Sequence, residues 1–407
     1  MRIAAINSLP TGSPYTIMNG ILEVAEKEIS AETKSFYGNW KNCPSKKNGS
    51  VRFGFRIENY ISAIIAQHFG CHNMGSVFGT LLLIHKLKRF NPDIIHLHNL
   101  HLWCINVPLL FKYIKKYNVK TVWTLHDCWA FTGRCPYFQI TECNRWKDGC
   151  YSCPYPHNEY PKSICDNTRR MWMHKKKWFS NVKYMTIVTP STWLSTLVAE
   201  SFLKNYPRVV INNGIDLNTF KPTPSDFRAR YNINNDVKIV LGISFNWERR
   251  KGLDVFLNLA NRLNNEFQIV LVGTDDKVDQ LLPKNIISIH HTNNKKELCE
   301  IYSAANVFVN PTREDNFPTV NIESLACGTP VITFDVGGSA EIIDSTSGIK
   351  IQLDDISGLI KAITDICDNN AVSYDNCLKR AKSLNQHSKF HEYVNLYNNI
   401  FIGKFNE

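Results

Sequence analysis

With 407 residues, the chain is too long to fold around one ordinary hydrophobic core. Its composition, 43% hydrophobic and 20% charged residues, excludes the class of disordered proteins. Its first ten residues hold one basic and about five apolar residues before Asn7, too few for a secretory signal peptide. No run approaches the roughly 20 apolar residues that span a bilayer. We therefore expect a cytoplasmic protein, soluble or peripheral on the inner face of the cytoplasmic membrane.

The positive charge is concentrated in the first half of the chain. Residues 1–215 hold 27 Lys and Arg against 12 Asp and Glu, whereas the remainder holds 20 against 24. A polyanionic partner or an anionic membrane surface would suit the basic half, and a solvated basic face explains it equally well.

Short apolar, β-rich runs alternate with helical patterns through the whole chain, which is typical of parallel sheets with crossover helices. Strands are predicted at 2–7, 94–98, 121–126, 185–190 and 208–212, and again at 238–243, 268–273, 286–290, 306–311 and 330–334. A polar, proline-containing stretch at 221–227 separates the two sets. The pattern predicts an α/β protein of two Rossmann-like, doubly wound domains facing a cleft, residues 1–215 and 216–385. We also expect a C-terminal helix (386–407) that crosses back to the first domain.

Two acidic residues mark a helix predicted over 318–327. Asp315 lies in the loop before this helix and Glu323 lies within it. Helix N-terminal amides bind phosphate oxygens, and because Pro318 has no N–H, Thr319 and Val320 would supply them. A carboxylate such as Glu323 can accept two hydrogen bonds from the vicinal hydroxyls of a ribose.

The pair Asp315 and Glu323, with Phe317 two residues after the first acid and an Ala-Cys-Gly end at 326–328, resembles the acidic pair of family 4 of the retaining glycosyltransferases, which have the GT-B fold. The resemblance implies that Glu323 binds the donor's ribose, that Asp315 binds the transferred sugar and that Phe317 belongs to the donor site. The family's first acid is usually Glu, so Glu314 competes with Asp315.

Basic residues follow the strand 238–243 at a turn into a helix. Arg249, Arg250 and Lys251 there would neutralise the charge on a departing diphosphate. The segment resembles the family's Arg-X5-Lys pair with Lys251 as the Lys, and since the expected Arg position is Asn246, Arg249 or Arg250 would replace it.

Glycines end two further predicted strands. The pair at 337–338 is similar to the family's Gly-Gly loop and places Gly338 in the donor site. In the first domain, Gly12 follows the first strand and permits close approach of a phosphate or sugar.

His126 and Asp127 close another strand of the first domain. The resemblance implies that His126 lies beside the donor sugar's hydroxyls, with Asp127 orienting it. We expect His96, His98 and His101 to line or cap a neighbouring strand.

Four cysteines cluster in a predicted insertion at 128–165, namely Cys135, Cys143, Cys150 and Cys153. Four thiols can hold a structural zinc ion that orders a long loop. Disulfides and free thiols are the alternatives. Together with the preceding His-Asp string, the cluster resembles a subgroup associated with colanic acid and O-antigen assembly.

Bulky aromatics alternate with cations over residues 169–179, as in helices that lie at a membrane interface. The alternative is a helix packed on its own domain.

Taken together, the resemblance implies a retaining glycosyltransferase of bacterial surface polysaccharide synthesis (O-antigen, capsule or colanic acid). Its donor would be a UDP- or GDP-sugar and its acceptor a polyprenyl-diphosphate-linked or other oligosaccharide, with no cofactor required for catalysis and no nucleic acid as partner. The alternative is a zinc-containing nucleic-acid-binding protein, suggested by the four cysteines and the basic first half.

Overall fold

The computed structural model describes residues 1–40, 49–155, 157 and 159–404. Contacts divide the chain into two compact units, one comprising Met1–Asn212 with the C-terminal segment from Lys389, the other Asn213–Ser388. Residues 156 and 158 of the predicted insertion, and 405–407 of the predicted C-terminal helix, lie outside the described residues.

A seven-stranded parallel sheet forms the first unit. Its strands are β1 (Arg2–Asn7), β2 (Glu32–Gly38), β3 (Ser50–Phe53), β4 (Ile94–Leu97), β5 (Lys120–Thr124), β6 (Met185–Thr189) and β7 (Arg208–Val210). Their order is β3-β2-β1-β4-β5-β6-β7. In the central register, Ile3 lies opposite Thr33 on one side and Ile94 on the other. The five predicted strands are confirmed, whereas β2 and β3 were not predicted because their first residues are polar and partly exposed.

Helices cover this sheet. They are α1 (Ser13–Ile29), α2 (Arg56–Phe69), α3 (Val77–Phe90), α4 (Val107–Tyr117), α5 (Thr168–Phe179) and α6 (Thr192–Glu200). Buried side chains of the central strands alternate between two apolar clusters, with Ala4 and Ile6 in one and Ile3 and Ala5 in the other. The sheet is therefore covered on both faces, as in doubly wound folds.

The second unit repeats the architecture with six parallel strands. They are β8 (Lys238–Ile243), β9 (Phe267–Val272), β10 (Ile286–Ile289), β11 (Val307–Asn310), β12 (Val331–Phe334) and β13 (Gly348–Ile351), in the order β10-β9-β8-β11-β12-β13. Its helices are α7 (Phe227–Arg230), α8 (Leu253–Arg262), α9 (Asp276–Asp279), α10 (Lys295–Ala304), α11 (Thr319–Ala326), α12 (Ile356–Asn369) and α13 (Tyr374–Ser383). The prediction of two Rossmann-like α/β domains is confirmed; β13 alone was not predicted here.

The last helix, α14 (Gln386–Phe401), packs for most of its length on the first unit. A Cβ added to Gly20 of α1 would lie 2.3 Å from the ring of Phe390, so glycine allows the two helices to touch. Among the residues outside the gaps at 41–48, 156, 158 and 405–407, no helix combines the length and apolarity needed to cross a membrane.

Candidate donor and sugar sites

The predicted donor-site residues of the second unit come from three adjacent strands. Lys251 follows β8, Asp315 follows β11 and Gly338 follows β12, and these strands are neighbours in the sheet. Because the strands are parallel, their carboxyl ends share one edge, where ligands of doubly wound folds bind.

An ion pair lies at the centre of this edge. Lys251 Nζ forms a short contact with the Oδ2 atom of Asp315, and their side chains are only 21% and 15% exposed. The Asn316 amide donates to Asp315 Oδ1 at 2.8 Å. Burial alone would raise the pKa of Asp315, but the charges of Lys251 and Arg250 outweigh it and hold the pKa below its usual value. Asp315 is therefore a carboxylate at neutral pH.

Arg250 lies beside the pair and is itself held in place. Its guanidinium donates to Glu248 Oε1 and, at 3.0 Å, to the carbonyl oxygen of Glu314. Arg249, in contrast, is exposed. Of the two arginines proposed to accompany Lys251, the geometry favours Arg250, since it points its charge at the loop that carries Asp315.

The loop carrying these charges is braced by Arg313. This side chain is 8% exposed and donates to both carboxylate oxygens of Asp254, at 2.8 and 2.7 Å, and its backbone amide donates to the Arg250 carbonyl at 2.8 Å. The turn before α8 needs glycine, since Gly252 has a φ of 79° and a Cβ there would lie 2.6 Å from the Pro311 carbonyl oxygen. The basic loop that follows β8 and the acidic loop that follows β11 are thus fixed to each other.

The glycine pair packs against the backbone of Asp315. Gly338 N–H donates to the Asp315 carbonyl at 3.0 Å, and a Cβ on Gly337 would lie 2.3 Å from the same oxygen. This bond shows that Gly338 positions Asp315, and the predicted donor contact of Gly338 stays a prediction.

Glu323 lies in α11, whose first amides have no preceding carbonyl to bind. Pro318 precedes the helix, and Thr319 and Val320 are partly exposed, as a phosphate contact requires. Tyr302 Oη donates to Glu323 Oε2 at 3.2 Å, and burial raises the pKa of Glu323 above its usual value. Because burial disfavours the charged Glu323 carboxylate, a ligand that donates hydrogen bonds to this carboxylate would bind favourably.

Two predicted donor-site side chains face inward instead. Phe317 is 4% exposed and packs in the core of the second unit, so only its backbone can contact a donor. Glu314 is completely buried. Their predicted roles in the donor site stay predictions, because spacing along a loop does not say which of two successive side chains faces solvent.

In the first unit, Gly12, His98 and His126 lie beyond the ends of the adjacent strands β1, β4 and β5. Gly12 has a φ of 83° and precedes α1, and a Cβ there would meet no atom nearer than 3.9 Å. Gly12 therefore meets a backbone requirement, and the space beside it is open to a ligand.

His126 is oriented by another histidine. Its Nε2 lies 3.0 Å from His98 Nδ1, and the rings are stacked. Asp127 instead bonds His101 Nε2 at 2.9 Å and accepts from the Trp129 amide at 2.9 Å. The prediction that Asp127 orients His126 is thus wrong, because the turn after β5 directs the carboxylate toward the loop after β4. Sequence reasoning missed the site roles of His98 and His101, which it predicted to line or cap a neighbouring strand, and of Tyr302. The placement of His98 beyond β4 was the available signal.

Four histidines of this unit, three of them buried and His126 partly buried, resist protonation. Burial lowers the pKa of His72 and of His96 to about 3 and that of His126 to about 4, and it holds the pKa of His98 well below its usual value. His96 is held by Tyr397 at 2.6 Å and Thr124 at 2.8 Å. All four rings are therefore neutral at pH 7.

This burial predicts acid lability. Below pH 6.5, the pKa of these histidines in the unfolded chain, the unfolded chain binds protons that the folded protein does not bind. The stability of the folded protein is therefore greatest above pH 6.5 and decreases as pH falls. From about pH 7 to about pH 5.5 we expect the unfolding free energy to fall by roughly 1 kcal/mol per histidine. Urea denaturation followed by tryptophan fluorescence measures this loss. His72→Gln should reduce the pH dependence and His85→Gln, an exposed position, should not; equal dependence in both variants would contradict the account.

The four clustered cysteines line one small cavity. The Gly133 amide donates to Cys150 Sγ at 3.1 Å, and Arg134 approaches Cys153 Sγ at 4.0 Å. Within the described parts of the chain, however, the group whose ligand atoms all lie within 4.8 Å of one another is Asp276, Asp279 and His290, on the exposed surface, and the cysteines form no such group. The structure thus brings the four thiols to one cavity but not to coordination distances.

Helix α5 packs on its own domain. Trp172 and Phe179 are buried, and Lys175, fully buried, donates to the carbonyls of Trp129 and Thr132 at 2.7 and 3.0 Å. Of the two alternatives for residues 169–179, the structure favours the helix packed on its own domain, because Trp172 and Phe179 lie in the core and Lys175 anchors the loop after β5.

Comparison with known proteins agrees with this geometry. Residues 60–219 match the family Glycosyltransferase Family 4, and residues 237–369 match the family Glycosyl transferases group 1. WcaC of Escherichia coli, whose name describes a colanic acid biosynthesis glycosyl transferase, is 24% identical to this protein. The similarity covers 77% of this chain and 78% of the WcaC chain.

Solved structures share the fold over nearly the whole chain. Sucrose-phosphate synthase from Thermosynechococcus elongatus superposes with a TM-score of 0.73 at 19% identity, covering 99% of both chains. HepE of Anabaena, in complex with UDP, does so with a TM-score of 0.65 at 14% identity, covering 98% of this chain and all of its own.

The two Rossmann-like units, each with a polar site at the carboxyl edge of its sheet, have the architecture of the GT-B fold class. Since residues of one unit match family 4 and residues of the other match group 1, the chain is a glycosyltransferase of the group 1 and family 4 type, and WcaC is among its relatives.

Proposed function

We propose that the protein transfers a hexose, with retention of anomeric configuration, from a UDP- or GDP-sugar to a polyprenyl-diphosphate-linked or other oligosaccharide acceptor in the synthesis of a bacterial surface polysaccharide (O-antigen, capsule or colanic acid). The observation that carries the proposal is the assembly of Lys251, Asp315 and Glu323 at one edge of the second sheet. The family match favours this proposal over a nucleic-acid-binding protein.

In the donor complex, each group has one role. Glu323 accepts hydrogen bonds from the ribose hydroxyls, and the amides of Thr319 and Val320 bind the diphosphate at the N-terminus of α11. Lys251 and Arg250 face the diphosphate, and Asp315 binds a hydroxyl of the transferred sugar. The relative HepE, in complex with UDP, supports a uridine nucleotide as the first candidate.

The reaction breaks the bond between the sugar's anomeric carbon and the diphosphate oxygen, which keeps the electron pair. Lys251 and Arg250 stabilise the charge that develops there, because preorganised cations in a partly dry site lower the transition-state energy. The acceptor hydroxyl then bonds the same carbon from the same face and gives its proton to the leaving phosphate. In the first unit His126, neutral and held by His98, is available to hydrogen-bond a sugar hydroxyl.

Two measurements test the proposal. In a thermal-shift screen of UDP-, GDP- and dTDP-sugars, a donor at 100-fold its Kd should stabilise the protein by about 2.7 kcal/mol. NMR of the product formed from that donor should then show the donor's own anomeric configuration. An inverted product would rule out the retaining reaction while leaving the donor assignment intact.

We also propose that the four-cysteine cavity holds a structural zinc ion and that catalysis itself needs no metal. Four thiolates suit zinc, and the Gly133 N–H bond to Cys150 is of the kind that supports a thiolate ligand. Closure of the side chains around the ion is required, given their present spacing. We expect metal analysis to find one zinc per chain and Cys150→Ser to lose it, whereas Cys377→Ser, a buried cysteine of the second unit, keeps it. Zinc-free, folded wild-type protein would refute this site.

A further inference from the structure

Helix α2 presents the opposite of the usual amphipathic arrangement. The residues it buries are Asn59, Ser62 and Ala66, all small or polar, whereas its large apolar residues face outward. Asn59 and Ser62 are hydrogen-bonded to the chain beneath, Ser62 to Ser76 at 3.1 Å and Asn59 to the Asn39 carbonyl at 3.1 Å. The orientation of α2 is therefore specified by these bonds.

The outward residues continue onto the start of α3. We call this set the apolar face: Phe55, Ile57, Tyr60, Ile61, Ile64, Ile65, Phe69, Val77, Phe78 and Leu81, each at least 40% exposed. They are ten of the 22 exposed large hydrophobic side chains among the described residues. Glu58 joins the two helices by accepting from the amides of Phe78 and Gly79, both at 2.8 Å. Such a concentration marks a surface that another body covers.

The charges around the apolar face indicate what that body is. Residues 51–90 hold five basic residues against one acid, Glu58, whose charge is directed to the amides of α3. On α3 the exposed side passes from Val77, Phe78 and Leu81 to Lys88 and Arg89 about two to three turns later. Apolar side chains flanked by cations match the boundary between acyl chains and anionic headgroups.

We propose that the apolar face docks the protein on an anionic lipid bilayer, with α2 lying in the plane of the interface. A second copy of the chain fits less well, because it would set two basic rims against each other. The 14 residues of α2 are also too few to span a bilayer, so the contact is with the surface. This docking does not rest on the proposed transfer reaction.

Co-sedimentation of the full chain with vesicles tests the proposal. We expect binding to vesicles of phosphatidylcholine with phosphatidylglycerol, weaker binding to phosphatidylcholine alone, and weakening by salt. Ile64→Glu/Phe78→Glu should bind about tenfold or more weakly, since each side chain removed contributes at least about tenfold when buried. Met173→Glu, on the exposed side of α5, should bind as wild type.

Circular dichroism and UDP titration of the double variant show whether its fold and its donor site are intact, which separates this proposal from the donor assignment. The proposal is overturned if the wild type ignores anionic vesicles, or if the folded double variant binds them as tightly. It is also overturned if the wild type forms a dimer in solution that the double substitution dissociates, without vesicle binding.

Discussion

Replacing Lys251 by Met should lower kcat by about 10²–10³ with little change in donor affinity. The ammonium group pairs with Asp315 in the free protein, and in the proposed reaction it faces the diphosphate oxygen that gains charge as the sugar departs. Because that charge is larger in the transition state than in the bound donor, loss of the cation affects kcat more than KM. Steady-state kinetics with the donor from the thermal-shift screen measures the effect.

Two neighbouring variants serve as controls. Lys251→Arg keeps the charge and should retain more activity than Lys251→Met. Arg249→Met removes an exposed cation from the same turn and should change kcat by less than about threefold. The reason is that Lys251, and not Arg249, forms the ion pair with Asp315. A larger loss in Arg249→Met than in Lys251→Met would reverse the assignment of the two cations.

Glu323→Gln should abolish most donor binding without destabilising the protein. The amide keeps the size of the side chain but is a poorer acceptor for two ribose hydroxyls, so we expect donor affinity to fall by about tenfold to a hundredfold. Since burial raises the pKa of Glu323, its carboxylate opposes folding at neutral pH. The stabilising contribution of this group is present below the unfolded pKa of 4.5 and is lost as pH rises through the folded value.

The free variant should therefore melt at the same temperature as wild type or higher, a combination expected of a functional residue and not of a structural one. Calorimetric titration and thermal melts measure the two effects. Glu266→Gln is the matched control, since Glu266 is exposed and precedes β9, at the opposite edge of the same sheet. A variant that loses affinity only because it is less stable would show a lower melting temperature and would contradict this interpretation.

Alternating strand and helix patterns were enough to predict both sheets, because buried parallel strands such as β1 and β8 are nearly continuous apolar runs. The same patterns placed Lys251 and Asp315 after two strands of the second domain, and the structure shows that these strands are adjacent, so the two side chains meet although 64 residues separate them. Strands β2, β3 and β13 escaped prediction because polar or exposed residues interrupt their patterns.

Side-chain direction within loops was beyond prediction. Whether Glu314 or Asp315 faces solvent depends on the backbone bonds from Arg313 and Gly338, and the partner of Asp127 depends on the turn after β5. The outward direction of the apolar side chains of α2 is a similar case, because the buried hydrogen bonds of Asn59 and Ser62 determine which face of the helix packs on the protein. Such choices depend on tertiary hydrogen bonds between segments distant in sequence.

The central claim is that the edge carrying Lys251, Asp315 and Glu323 binds the nucleotide of the donor. Calorimetric titration of the wild type and Glu323→Gln with UDP, GDP and dTDP tests it most directly. We predict that the wild type binds one of the three nucleotides and that Glu323→Gln binds it at least about tenfold more weakly. Failure of folded wild-type protein to bind any of the three, or equal affinity in Glu323→Gln, would contradict the account.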